Sequence, residues 1–294
     1  MNIFKKISYK LFYYSNTWQV GYRLVDTDFD LPINKNISYQ LIPLSDGKYY
    51  ADPFVFKKGD DVYIFAEYMN RYYGKGTIAV SKFVNGKFTK FKEVLKEDCH
   101  LSFPNVFEHN GEIFMIPETS KKGQVRLYKA RSFPNDWELQ AILLDDGKPY
   151  VDTVFLNESK NEILCYYESD GKQINQCYSL DFSNLKLLPI NKKCDVTMRP
   201  AGNAFECDGN VYRMVQNGKN YYGQSMFVVD TKEPEKIIGE FSDKCILAKP
   251  KIKISGTHTF NRTDGFEVID IKYNRFCITK SLIRLYQLFK KIWR

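Results

Sequence analysis

The stretch HLSFPNVFEHNGEIFMIPETS, residues 100–120, repeats the pattern of an earlier one, YYADPFVFKKGDDVYIFAEYM, residues 49–69. In each copy a short polar turn, KKGDD or EHNGE, separates two apolar runs. Glycine-containing turns between apolar runs are typical of β-hairpins. Alignment on the common P-x-V-F places three pairs of equivalent residues 51 positions apart: Pro53 and Pro104, Phe56 and Phe107, Glu67 and Glu118.

The same module recurs five times along the chain. Its anchor is a phenylalanine, and a polar turn and a second apolar strand follow each anchor. Five modules of about four strands each predict a five-bladed β-propeller, because stacked sheets bury faces that a single sheet would expose. A β-sandwich with chance similarity between its hairpins is the alternative, and the constant order and period of the anchors favour the propeller. The anchors are 48 to 55 residues apart: Phe56, Phe107, Phe155, Phe205 and Phe260.

We expect the propeller to occupy residues 18–278. The fifth module is short, and the N-terminal strands TWQVGYRLV and ISYQLIPL are expected to complete it and close the ring. A basic, aromatic segment, residues 1–17, precedes the propeller, and a basic amphipathic helix, residues 279–294, follows it.

Composition narrows the function classes. The 294 residues carry a net charge of +8, and a basic excess suits nucleic acid, a membrane surface or an anionic substrate. No nucleic-acid-binding pattern is present, so we expect no nucleic-acid partner. Seven scattered cysteines indicate reduced thiols rather than a disulfide framework. Without zinc-ligand spacing we expect no metal and no cofactor, and without a signal peptide or membrane span we expect a cytoplasmic protein.

In a propeller, the first strand of each blade lines the central channel, so residues just before the anchors meet at one mouth. Paired carboxylates across such a mouth suggest glycosyl chemistry, in which one acts as base or nucleophile and the other as acid. An aspartate before proline is also a common turn cap, which is the structural alternative for Asp52. We assign the catalytic roles to Asp52, Asp152 and Glu118. We assign substrate binding to Glu67, His100, Arg199, Asn203, Gln216, Tyr222 and His258.

Two segments resemble five-bladed glycoside hydrolases of family 43. YYADPFVF is similar to their "ADP" signature, which implies that Asp52 is the general base of an inverting reaction. YVDTVF resembles the segment that carries their pKa-tuning aspartate, which implies that role for Asp152. The chain departs from that family in blade four, where MRPAGNAF places Arg199 near the general-acid position. Loss of a general acid costs a rate factor of about 10² to 10⁴.

A closer resemblance covers residues from about 45 to 272. The motifs ADPFVF, HLSFPNVFEHNGEIFMIPETS, VRLYKA, FPNDW, DTVF, RPAGN, YGQS and GTHT are together similar to the N-terminal domain of plant glucosamine inositolphosphorylceramide transferases. The resemblance implies a role in cell-surface glycan synthesis. A sugar-nucleotide donor leaves as a phosphate, which needs positive charge rather than an acid, and Arg199 with His258 and His100 would supply it. Alternatively, Arg199 forms a salt bridge to Asp152 or Glu118 that holds the channel together.

The last segment, TKSLIRLYQLFKKIWR, has the period of an amphipathic helix and contains no acidic residue. It predicts an interfacial membrane anchor, which the basic N-terminus would join. A helix docked on the propeller with solvated cations is the alternative. The apolar positions are Leu282, Leu285, Tyr286, Phe289 and Trp293. The polar positions are Lys280, Arg284, Gln287, Lys291 and Arg294.

The sequence thus predicts a glycosyltransferase of cell-surface polysaccharide synthesis at the inner face of the membrane. It would move a sugar from a nucleotide-activated donor to a lipid-linked or growing glycan. One alternative is an inverting glycoside hydrolase that uses Asp52 with Glu118 or Glu206 as acid. The other is a non-catalytic propeller that binds glycans.

Overall fold

The computed structural model of the protein describes residues 3–26, 31–191, 198–233 and 235–292. Cys194, Trp293 and Arg294 lie outside these ranges, and the side chain of Lys291 also lies outside the description. The strands form five sheets in the arrangement of a five-bladed β-propeller, which confirms the predicted fold and replaces the β-sandwich alternative.

The blades follow one another along the chain, and each begins with the strand at the channel. The first elements are α1 (Ile3–Phe12), β1 (Tyr13–Leu24) and β2 (Ile37–Leu41). Blade one contains β3 (Lys48–Lys58), β4 (Asp61–Asn70), β5 (Lys75–Val84), β6 (Lys87–Phe88) and β7 (Lys92–Leu95). Blade two contains β8 (Ser102–His109), β9 (Glu112–Glu118), β10 (Gln124–Ser132) and β11 (Asp136–Asp145). Blade three contains β12 (Val151–Asn157), β13 (Glu162–Ser169), β14 (Lys172–Asp181) and β15 (Lys186–Pro189).

The last two blades complete the ring. Blade four contains β16 (Phe205–Cys207), β17 (Asn210–Asn217), β18 (Ser225–Asp230) and β19 (Ile237–Ser242). Blade five draws on β20 (Ile246–Lys249), β21 (Ile254–Gly256), β22 (Phe260–Thr263) and β23 (Phe266–Phe276), and α2 (Lys280–Ile292) follows it. Single 3-10 turns span Ser120–Lys122, Glu158–Lys160 and Asp243–Cys245.

Strands from both ends of the chain close the fifth blade. β1 runs antiparallel to β23 from Tyr13 opposite Phe276 to Leu24 opposite Phe266, and β2 pairs with β1. This confirms the expectation for TWQVGYRLV and ISYQLIPL. β20 adds a parallel pairing to β2 that the sequence did not indicate.

The anchor phenylalanines form the core between neighbouring blades. The ring of Phe107 packs edge-on against that of Phe155, with centroids 4.8 Å apart, and Phe205 packs against Phe260 at 5.2 Å. Burying one such side chain contributes about 1.5–3 kcal/mol. The repeat seen in the sequence is therefore the repeat of the contact that joins one blade to the next.

Asparagine side chains connect the blades across the channel. The side-chain oxygen of Asn203 accepts hydrogen bonds from Asn105 Nδ2 and from the Phe155 backbone N–H, both at 2.8 Å. Asn261 accepts from the Asn203 backbone N–H at 3.0 Å, and its own amide donates to the carbonyl of Pro53 at 2.9 Å. These bonds join residues of all five blades.

The cysteines differ in their oxidation state. Cys177 is disulfide-bonded, so the expectation of reduced cysteines is wrong for this residue. The free cysteines of the described ranges are all buried: Cys99, Cys165, Cys207, Cys245 and Cys277.

The two helices pack against each other at the end of the ring where β1 begins and β23 ends. α2 docks through Lys280, which donates to the Tyr13 carbonyl, through the fully buried Ile283, and through Gln287, which donates to the Arg71 carbonyl. Lys280 and Gln287 therefore contact protein, although the sequence placed them on a solvent face. Within the described ranges, no helix has the length and apolar character needed to cross a bilayer.

We expect Asn203→Ala to lower the free energy of unfolding by about 2–6 kcal/mol, because it removes the partners of the Phe155 N–H and of the Asn105 side-chain oxygen, at about 1–3 kcal/mol each. Urea denaturation measures the loss. Asn135→Ala, an exposed asparagine in a turn, is the matched control and should change the value by less than about 0.5 kcal/mol. Equal stability of the two variants would show that the channel network contributes nothing.

Candidate functional site

β-bulges aim two aspartates at the mouth of the channel. The pairing register shifts between Ala51 and Phe54 in β3, and between Val151 and Val154 in β12. The bulged residues Asp52 and Asp152 have φ angles of 51° and 48°, in the left-handed region that aspartate tolerates better than most residues. A bulge redirects a side chain out of the regular alternation, and both carboxylates are buried at the mouth.

An imidazole lies between two carboxylates on the blade-five side of the mouth. His258 Nδ1 is 2.6 Å from Asp270 Oδ2, and His258 Nε2 is 3.4 Å from Asp52 Oδ1. The hydroxyl of Thr259 donates to Asp52 Oδ1 at 3.0 Å. Asp270 also accepts the backbone N–H of Asp52 at 3.1 Å, of His258 at 2.9 Å and of Thr259 at 3.1 Å.

These contacts separate the pKa values of the two carboxyls. Burial raises the pKa of Asp52 to about 8, and the negative charges of Glu67, Asp270 and Asp152 add to the rise against the opposing charge of His258. Burial also disfavours the Asp270 anion, but His258 and the backbone N–H donors outweigh it and lower the pKa of Asp270. The Asp270 carboxylate likewise overcomes burial to raise the pKa of His258. Asp52 is thus a mostly protonated acid at neutral pH, beside an ion pair.

The second aspartate holds an arginine. Arg199 donates from Nε to Asp152 Oδ2 and from Nη2 to Asp152 Oδ1 at 3.1 Å, in a two-pronged pair. Gln216 Nε2 donates to Asp152 Oδ2 at 2.8 Å and to the Pro200 carbonyl at 2.8 Å. The salt bridge that the sequence left as an alternative for Arg199 is therefore present. The Arg199 side chain keeps 27% of its surface exposed at the mouth.

Glu118 is the second carboxylate near Arg199. Its Oε2 is 3.8 Å from Arg199 Nη2, and Ser120 donates to its Oε1 at 2.9 Å. Burial and the neighbouring charge of Asp152 raise the pKa of Glu118 to about 7, although Arg199 pulls it down. Glu118 therefore changes charge in the physiological range.

Aromatic rings form the wall between the two clusters. Trp18 stacks on His258 with centroids 4.0 Å apart, and Tyr222 meets the same imidazole edge-on at 5.0 Å. The Arg199 guanidinium lies 5.6 Å from the centre of the Tyr222 ring. Gly223 permits this packing, since a Cβ there would lie 2.3 Å from the indole of Trp18.

A third pair lies on the blade-one and blade-two side. His100 Nε2 is 3.3 Å from Glu67 Oε1, and the N–H of Gly76 donates to His100 Nδ1 at 3.0 Å. Burial lowers the pKa of His100, but Glu67 outweighs it and the net shift is upward. The charge of Glu67 reaches Asp52, because it contributes to the raised pKa of that carboxyl.

An open cleft of about 680 Å³ extends outward from Arg199 between blades three and four. Its lining is polar and aromatic, with one further cation at the exposed Lys219. The lining residues that the argument uses are Tyr166, Glu168, Arg199, Gln216, Lys219 and Tyr222.

The structure brings most of the sequence-predicted residues to this mouth. Asn203 instead lies in the channel network, where both ends of its amide are engaged. Glu206, the alternative hydrolase acid, is exposed near the β16–β17 turn in a separate cavity with Asp208 and Arg262, so it does not reach Asp52.

Sequence reasoning missed Asp270 and Trp18. The signal for Asp270 was present, because the apolar strand FEVIDI contains two acids, Glu267 and Asp270, and an acid buried in such a strand needs partners. Trp18 gave no comparable signal, since its stacking on His258 requires the blade closure that joins residues 240 positions apart.

Asp52, His258 and Asp270 are also the described residues that come close enough to share a cation, with candidate ligand atoms within 4.8 Å of one another. The donor set does not fit one well. Both Asp270 oxygens already accept N–H donors, and the upward shift of the His258 pKa favours the protonated imidazole, which cannot bind a cation. We therefore derive no step through a metal.

Residues 42–237 match the family described as "Glucosamine inositolphosphorylceramide transferase 1, N-terminal". The Arabidopsis thaliana glucosamine inositolphosphorylceramide transferase 1 is 35% identical over 187 residues, covering 59% of this chain and 24% of that protein. The Oryza sativa subsp. indica protein of the same name is 31% identical over 193 residues, covering 60% of this chain and 25% of its own. The chain thus spans about a quarter of the length of these relatives.

Solved structures agree in fold. The RS223 β-xylosidase superposes with a TM-score of 0.52 at 12% identity, covering 77% of this chain and 92% of that one. A thermostable family-43 glycoside hydrolase gives 0.51 at 16% identity, covering 78% and 89%. At these identities the likeness establishes the propeller and not the reaction.

We expect one aspartate carboxyl to titrate near pH 8. Below that pH the buried Asp52 side chain is neutral, and above it the side chain is an anion that the His258 charge stabilises. Carbon-13 NMR of aspartate-labelled protein follows the titration. The signal should disappear in Asp52→Asn, whereas Asp60→Asn, at an exposed turn, should leave it in place. Titration of every aspartate below pH 5 would contradict the burial argument.

Proposed function

The chain belongs to the family of the N-terminal domain of glucosamine inositolphosphorylceramide transferase 1, and from this membership and the site we propose that it is a glycosyltransferase of cell-surface glycan synthesis. It would transfer a sugar from a nucleotide-activated donor to a growing or lipid-linked glycan. The observation that carries the proposal is the guanidinium of Arg199 at the mouth, where an acid-dependent enzyme needs a carboxyl group.

Arg199 cannot act as a general acid, because Asp152 and Glu118 overcome the effect of burial and raise its pKa well above the ordinary value. A leaving alcohol needs a proton, whereas a leaving phosphate needs only its charge stabilised. A fixed cation at this point therefore suits a donor whose leaving group is a nucleoside diphosphate. Arginine is also the side chain best shaped for a phosphate.

The cleft beside Arg199 would hold the donor. Its volume of about 680 Å³ is within the range of small-ligand sites. Lys219 adds a second positive charge there, and the half-exposed ring of Tyr222 offers a face for a sugar or base to stack upon.

Asp52 would then be the base in its ionised form, which its pKa of about 8 leaves as the minority at neutral pH and makes the majority above pH 8. The acceptor hydroxyl oxygen forms a bond to the anomeric carbon of the donor as the bond from that carbon to the phosphate oxygen breaks. The bonding electrons leave with the phosphate, and the hydroxyl proton passes to the Asp52 carboxylate. Asp152 is the weaker candidate, because Arg199 and Gln216 already occupy its oxygens. Its part would be to position Arg199.

We expect a sugar nucleotide or nucleoside diphosphate to raise the Tm of the full chain, because a ligand that binds only the folded state stabilises it by mass action. Lys219→Ala should weaken this binding about tenfold or more, since a hydrogen bond to a charged group contributes about 1.5–3 kcal/mol. Thermal shift titrations measure both.

Arg199→Ala should abolish the ligand-induced shift. It also leaves the buried Asp152 unpaired and lowers the starting Tm, so the shift and not the Tm is the quantity compared. Lys87→Ala, a lysine on the outer strand β6, is the control that should leave the shift unchanged. Stabilisation by oligosaccharides alone, with no dependence on Arg199 or Lys219, would exclude the donor site.

One observation favours glycoside hydrolysis as a second candidate. A carboxyl with a pKa of about 7, as at Glu118, is suited to protonate a leaving alcohol while Asp52 activates water. Release of reducing sugar from oligosaccharides, lost in Glu118→Gln, would favour this reaction over transfer. Oligosaccharide binding without any turnover would instead favour the glycan-binding alternative.

A further inference from the structure

The two terminal helices expose an apolar surface that no described part of the chain covers. Isolated exposed apolar side chains are normal on a protein surface, but a contiguous cluster marks a site of interaction. We call this cluster the helix face. It comprises residues that are between 43% and 67% exposed: Ile7, Leu11, Ile278, Leu282, Leu285 and Phe289.

Helical spacing and direct contacts make the helix face continuous. Ile7 and Leu11 are four residues apart on α1. Leu282, Leu285 and Phe289 follow one side of α2, and Ile278 lies in the turn just before it. The helices touch, because Ser281 Oγ donates to the Leu11 carbonyl at 3.0 Å and Arg284 Nη1 donates to the Lys10 carbonyl at 3.3 Å.

The charges on the two helices are of one sign. Neither IFKKISYKLF of α1 nor KSLIRLYQLFKKI of α2 contains an acidic residue. Lys6, Lys10, Arg284 and Lys290 are exposed beside the apolar residues. A protein partner would have to be acidic around an apolar centre, whereas an anionic bilayer combines these two properties over any area.

The docking of α2 fixes the direction in which the helix face points. Gln287 donates to the carbonyl of Arg71 in the β4–β5 turn, and the Arg71 guanidinium lies 4.8 Å from the centre of the Tyr49 ring. The negative charges of Glu67 and Asp52 in turn act on Tyr49, where they add to the effect of burial and raise the pKa of its hydroxyl. Only Arg71 and Tyr49 therefore lie between α2 and the site along this path. The helix and the site lie at the same end of the propeller.

We propose that the helix face binds the protein to an anionic lipid bilayer and that the mouth of the site thereby faces the membrane. Leu282, Leu285 and Phe289 enter the boundary between headgroups and acyl chains, and the flanking cations bind the headgroups. If the protein is the transferase proposed above, its acceptor is then a glycan carried on a membrane lipid.

Vesicle co-sedimentation of the full chain tests the anchor. The protein should bind phosphatidylcholine vesicles that contain phosphatidylglycerol, and should bind less tightly without phosphatidylglycerol or at high salt. Leu285→Asp combined with Phe289→Asp should weaken binding at least tenfold, because two buried apolar side chains are lost. Leu188→Asp is the matched control, since Leu188 is 48% exposed on the outer strand β15, and it should bind like the wild type.

Lys290→Ala should weaken binding to the anionic vesicles about fivefold, because one cation near a charged surface contributes about 1 kcal/mol to the binding free energy. Arg199→Ala should bind vesicles like the wild type, so failure of the donor site and failure of the anchor are told apart. Absence of vesicle binding, or binding unaffected by the double variant, would overturn the proposal. So would a concentration-dependent dimer that the double variant abolishes, because the occupant would then be a second copy of the chain.

Hydrogen exchange on the same vesicles tests the orientation. Protection should appear in α1, α2 and the β4–β5 turn at residues 71–74, and not in the β8–β9 turn at residues 110–111 on the opposite end. Protection of the opposite turns would show that the mouth faces away from the membrane.

Discussion

The buried carboxylate of Asp270 is the contact on which both the ring and the site depend. It accepts backbone N–H groups from the first blade at Asp52 and from the fifth at His258 and Thr259, and it pairs with the imidazole. A propeller must join its last blade to its first, and here the part of that junction at the mouth is electrostatic, while the rest is an apolar core between the two blades. A buried carboxylate with four donors remains ionised, so the same group that closes the ring also fixes the charge of His258.

Such a junction explains what the sequence could and could not predict. Residues close together in the chain determine the hairpins, the anchors and the order of the blades. The similarity of two stretches 51 residues apart was enough to predict these features. The partner of Asp270 lies 218 positions away, and the link from Asn105 to Asn203 spans 98. Nothing local distinguishes Asn105 and Asn203 from ordinary polar side chains. Asp270 stands at the end of the second apolar run of its module, as Glu67 and Glu118 do in theirs, so the repeat could have identified it, whereas Trp18 lies at no repeated position.

The comparison with solved hydrolases establishes the fold of this chain but not the chemistry of its mouth. Solved hydrolases share the propeller at 12–16% identity, and the two bulged aspartates of this chain are buried at its mouth. The Asp152 carboxylate binds the guanidinium of Arg199. Its charge still raises the pKa of Asp52 and of Glu118, and on Glu118 the guanidinium opposes that effect.

The charge balance of the mouth constrains any anionic ligand. Asp152, Glu118 and Glu67 contribute more negative charge than Arg199 supplies positive, so a phosphate entering beside Arg199 meets a local excess of carboxylates. Glu118 can relieve it, because its pKa of about 7 allows it to take up a proton at little cost. Protonated Glu118 no longer shares the Arg199 guanidinium, which leaves that charge to Asp152 and the ligand. Asp52 lies beyond the Tyr222 ring, next to His258, and its charge is controlled separately. In the proposed transfer, the two carboxyls with pKa values near neutral would serve different ends of one mouth: Glu118 would adjust the charge around the donor, and Asp52 would accept a proton from the acceptor.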